Sequence, residues 1–121
     1  MYMKMVETYK LLFGILLFTF GQVLIWYQTN GQFVWKWADE HPFAMACIFS
    51  IPISYAFIIA TKLVVGYFDG TLWPGRFIGF ATGITSFAIL TSIYMNEGIN
   101  AKTAISLVLA TALVLIQILW K

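Results

Sequence analysis

The chain has 121 residues, of which 61% are hydrophobic, 18% aromatic and only 10% charged. Soluble domains carry roughly 25% charged residues, so a water-soluble fold is excluded for a chain this apolar. The net charge of +2, with no basic run, argues against a nucleic-acid partner, and the single cysteine, Cys47, excludes an internal disulfide.

The expected fold is an all-α membrane protein, a single domain of four transmembrane helices in an antiparallel bundle. Each spanning helix needs about 20 mostly apolar residues, and helices satisfy their own backbone in lipid. Four runs qualify, at about 11–27, 43–67, 73–95 and 101–120. No cleavable signal peptide is expected. The opening MYMKMVETYK includes an acid, and no small-residue cleavage site follows the next run.

The first span, which has room to start earlier, contains FTFGQVLIW with Thr19, Gly21, Gln22 and Trp26. Gln22 is polar well inside an apolar run. It either hydrogen-bonds a neighbouring helix or faces a ligand. DEHP, residues 39–42, precedes the second span. Asp39 and Glu40 suit the positive end of a helix, and Pro42 suits its first turn. His41 beside these two acids reads as a capping segment, and no metal site is expected.

SIPIS, residues 50–54, interrupts the second span with Pro52. Proline removes a backbone donor and clashes with the carbonyl four residues before it, so a kink is predicted. Ser50 and Ser54 are placed to satisfy freed backbone groups. The kink is either a plain bend or the edge of a binding site of the kind found in transporters.

The third span opens on WPGRFIGFATG after the turn pair Asp69-Gly70. Pro74 suits a first-turn position. Gly75, Gly79 and Gly83 recur every four residues and share one helix face. Such a ladder admits close helix packing, within the chain, against a second copy or against another protein. Arg76 sits beside the positive end of the helix, where a cation is disfavoured. It either snorkels to headgroups or meets an anion in a cavity. Lys62 is placed at the same end, with Asp69 as a possible counter-ion. NEGIN, residues 96–100, is a tight connector, and Asn100 is a good N-cap for the fourth span.

Trp26, Tyr27, Trp35, Trp37, Tyr67, Trp73, Tyr94 and Trp120 lie near span ends, as membrane-interface aromatics do. Lys4, Lys10, Lys62, Arg76 and Lys121 fall on the side of the termini, against Lys36 and Lys102 on the other. The positive-inside rule then places both termini in the cytoplasm of a multi-pass inner-membrane protein. No nucleophile, base and orienting group assemble in the sequence, so neither catalysis nor a cofactor is expected.

Residues 76–119, RFIGFATGITSFAILTSIYMNEGINAKTAISLVLATALVLIQIL, resemble the last helix pair of the drug/metabolite transporter superfamily, which includes the small multidrug resistance proteins. FGQVLIWYQTNG, residues 20–31, is similar to the first span of its short lipid-carrier members through Gly21-Gln22. The connector residue Glu97 also matches. The resemblance implies a small transporter working as a homodimer by alternating access. The small multidrug exporters carry a glutamate inside the first span, where this chain has Thr19, Phe20, Gly21 and Gln22. Proton-coupled export of cationic drugs is therefore not carried over. The expected ligand contacts are Gln22, Trp26, Ser54 and Arg76, for a small metabolite or an amphiphile with an anionic head. The alternative is a non-transporting subunit or assembly factor of a larger membrane complex.

Overall fold

The computed structural model describes the backbone of residues 2–120 and the side chains of residues 7–120. Lys4 and Lys121 of the charge count lie outside the described side chains. In chain order the elements are α1 (Tyr2–Asn30), a 3-10 turn (Gly31–Phe33), α2 (Lys36–Glu40), α3 (Pro42–Tyr67), α4 (Trp73–Tyr94) and α5 (Ala101–Leu119). No strand occurs among the described residues. Four helices, α1, α3, α4 and α5, are long and apolar enough to cross a membrane.

Three of the four spans match the hydropathy reading within a residue or so. The first differs: α1 extends from Tyr2 to Asn30 rather than from about 11 to 27. Its flanks are too polar for a hydropathy window, yet nothing there breaks a helix. α2 was not anticipated either. Asp39 and Glu40 belong to this short helix and do not cap α3. Pro42 does occupy the first turn of α3.

Junction chemistry follows the residues. Asp69 (φ 55°) and Gly70 (φ 88°) turn the chain in the left-handed region between α3 and α4. Asn96 (φ 55°) does the same just after α4. Pro74 lies in the first turn of α4. Asn100 Oδ1 accepts from the Thr103 N–H at 2.9 Å, capping α5.

α3 runs through Pro52 as one helix. Ser50 does not serve the carbonyl that Pro52 frees, which is that of Ile48. Its hydroxyl donates to the Ala46 carbonyl instead. A serine hydroxyl on a helix reaches its own i−4 carbonyl, and for Ser50 that is Ala46.

α1 is the central helix. It packs against both α3 and α4, while α5 packs against α4. Along α1 and α3 the paired residues run in opposite order: Gly14 meets Val64, Gly21 meets Phe57 and Gln28 meets Ala46. Along α1 and α4 they run in the same order: Phe18 meets Gly79, Gln22 meets Gly83 and Trp26 meets Thr91. Phe18, Ala60, Val64 and Ile78 form the buried core.

Glycine makes these approaches possible. A Cβ on Gly14 would collide with Val64, and one on Gly21 would stand 2.5 Å from the Phe57 ring. Between apolar helices in lipid, close packing and polar contacts supply the association that water exclusion supplies elsewhere. α5 takes little part in this core; only Ala110 of it is buried.

Candidate functional site

The glycine face of α4 lies against the same chain. Gly75 approaches Val64 of α3, Gly79 approaches the Phe18 ring, and Gly83 approaches the Gln22 amide. A Cβ on Gly83 would stand 2.9 Å from Gln22 Cδ. Removing side chains from this stripe has two effects. It lets α1 come near, and it bares the α4 backbone. Gln22 uses the second effect: its Nε2 donates to the Gly79 carbonyl at 3.1 Å. Thr82 Oγ1 donates to the same carbonyl at 2.9 Å.

α3 and α4 meet far less extensively than either meets α1. The space between them is a groove of about 870 Å³, with α1 as its floor. Phe18 and Gln22 rise from α1, and Phe57 and Thr61 come from α3. The α4 wall carries Arg76, Phe80 and Phe87 beside the three glycines. The lining is mainly aromatic and aliphatic. Arg76 is its one charged residue, at the end nearer the α3–α4 turn. Among the described residues the only ion pair is Lys36–Glu40, so Asp69 pairs with neither Arg76 nor Lys62.

The four expected ligand contacts separate. Gln22 and Arg76 both line the groove. Trp26 does not: it is 2% exposed, and its indole N–H donates to Thr91 Oγ1 at 2.9 Å. Its ring therefore faces the inside of the fold. Its ring stacks on Tyr94 at 5.3 Å, and Tyr94 also contacts Tyr27 and Trp35. The Tyr27 and Tyr94 hydroxyls are 3.0 Å apart. This cluster ties the far ends of α1 and α4 together, beyond the groove. Ser54 is exposed and outside the lining, one turn before Phe57.

Sequence reasoning missed Phe57 and Thr61 on α3. Their signal was the spacing of Ile53, Ala56, Ala60 and Val64, the buried line that turns Phe57 inward. Thr91, the partner of Trp26, had no signal of its own.

A second groove, of about 510 Å³, lies on the other side of the α1–α4 seam, between α1 and α5. It holds no charged residue, and the Thr19 and Thr85 hydroxyls within it donate to their own helices. Among the described residues no three His, Cys, Asp or Glu side chains gather as metal ligands. His41 Nδ1 lies 2.8 Å from the Trp37 carbonyl. No family model, curated protein or solved structure matches this chain.

Proposed function

We propose that this chain is a small multi-pass membrane transporter-like protein of the drug/metabolite transporter type. It works as a homodimer of antiparallel four-helix units with both termini in the cytoplasm. Its cargo is a small metabolite or an amphiphile with an anionic head. The observation that carries this reading is the groove between α3 and α4. One guanidinium and one amide stand in it against apolar walls, the composition expected of a small-molecule site. α1, α3 and α4 supply a floor and two sides, and the remaining side is open. A second copy closes it and makes a path between two bundles that rock about a shared site.

The test is transport by the purified chain in sealed vesicles, against a panel of anionic metabolites and a fluorescent anionic lipid. Saturable movement above protein-free vesicles is expected, reduced in Arg76→Gln. Lack of movement for every panel member counts against the reading.

A second reading is favoured by α5, which leaves most of its surface uncovered. In it the chain is a non-transporting subunit, and α5 docks on a larger complex. Purification in mild detergent separates the two readings: a stoichiometric foreign partner supports the subunit, and a clean homodimer supports the transporter.

A further inference from the structure

We infer that the groove between α3 and α4 binds an anionic single-tailed lipid, entering sideways from the bilayer with its head at Arg76. The inference rests on the transport reading for its purpose and narrows the cargo to one of the two classes named there.

The argument begins with how the groove opens. It is a cleft between two membrane-length helices, and much of its wall is exposed along its length. From Trp73 to Phe87 the lining follows α4 for fifteen residues, about 21 Å at 1.5 Å per residue. A slot of that length and opening faces acyl chains. A water-soluble metabolite inside it would exchange hydration for Phe57, Phe80 and Phe87 and gain few polar contacts.

Polarity is concentrated at one end. Arg76 has no acidic partner among the described residues, and Thr61 lines the same groove. A guanidinium at the mouth of an apolar slot complements a phosphate or carboxylate, which it can bind with two parallel donors. The lining contains no acid, so a cationic head finds no counter-charge. Gln22 gives one further polar point. Its Nε2 is engaged by Gly79, which leaves Oε1 as an acceptor. It meets α4 at Gly79 and Gly83, about 5–10 Å along the helix from Arg76. A hydroxyl near the head of a lipid falls in that range. Beyond Gln22 only apolar wall remains, which suits a tail.

Binding is measured on the full-length purified chain in nonionic detergent, so transport is not required. Three probes are compared: a lysophosphatidate, a monoacylglycerol with the same tail, and inorganic phosphate. The lysophosphatidate should bind about tenfold or more tightly than the monoacylglycerol, the range of a charge-assisted hydrogen-bonded pair. Inorganic phosphate at millimolar levels should not displace it. Arg76→Gln should remove the preference, and Arg76→Lys should retain part of it. Ile84→Trp, which fills the slot, should weaken both lipids and leave the charge preference.

Equal binding of the two lipids, an unchanged preference in Arg76→Gln, or displacement by inorganic phosphate overturns the inference. Phosphate displacement would instead mark a small-anion site. If the lipid preference holds while vesicles move nothing, the transport reading falls and the lipid site stands. If a soluble metabolite is moved while the lipid fails to bind, the reverse holds. Normal gel-filtration behaviour of each variant confirms that it folds.

Discussion

The indole N–H of Trp26 donates to the hydroxyl of Thr91 at 2.9 Å, joining α1 to α4 across 65 positions of sequence. Both residues are buried, at 2% and 7% exposure. Trp26→Phe and Thr91→Val should each lower thermal stability in detergent. The loss expected is about 0.6–2 kcal/mol, the range for hydrogen bonds between membrane helices. A double-mutant cycle checks the pair: a coupling energy near zero would mean that the bond contributes nothing.

Glycines of α1 and α4 should differ in tolerance according to what a methyl group meets. Gly14→Ala should be strongly disruptive, because its Cβ meets the branched Val64 side chain and stands 3.4 Å from the Ala60 carbonyl oxygen. Overpacking of this kind costs about 1–3 kcal/mol. Gly83→Ala meets the end of the flexible Gln22 side chain and should cost less. Combining it with Gln22→Ala should relieve part of that cost. Thermal unfolding of the series gives the order.

Two loop glycines separate conformation from space. Neither Gly70 nor Gly98 has any heavy atom within 4 Å of an added Cβ. Gly70 has φ +88°, a conformation that L residues resist. Gly70→Ala should lose about 1–2 kcal/mol through backbone strain alone. Gly98→Ala should be neutral, and equal melting temperatures for the two would contradict this account.

The Lys36–Glu40 pair should matter little. Its groups are 3.8 Å apart on the short helix α2, with the side chains 88% and 54% exposed. Exposed pairs of this spacing contribute about 0.3–0.5 kcal/mol and weaken with salt. Glu40→Gln should leave the melting temperature unchanged within error at physiological ionic strength.

If all four long helices cross the bilayer, as proposed, both termini lie on one face of it. Reporters fused to each end should give the same cytoplasmic result. Opposite results would require an odd number of crossings and would remove one of the four helices from the bilayer.

Local features were legible before any coordinates. Span positions followed from runs of apolar residues, which need no partner to be recognised. The Asp69-Gly70 turn, Pro74 in the first turn of α4 and the Asn100 cap each rest on the chemistry of a few adjacent residues. The α4 glycine stripe was visible from its four-residue period. Its partners were not, and neither was the short helix α2, whose five residues are too few for a periodic signal.

The sequence by itself determined an apolar helical chain with four membrane-length segments and the chemistry of their ends. Only the tertiary structure decided what faces what. It placed the glycine stripe against Val64, Phe18 and Gln22 of the same chain, and it turned Trp26 inward while leaving Ser54 outside. It also set Gln22 and Arg76 along one groove. The reason is physical. Capping acts over one helical turn and hydropathy over the length of one span, whereas Gln22 and Gly79 meet across 57 positions. In a chain that is apolar nearly all round, no polar face marks in advance which side of a helix will find a partner.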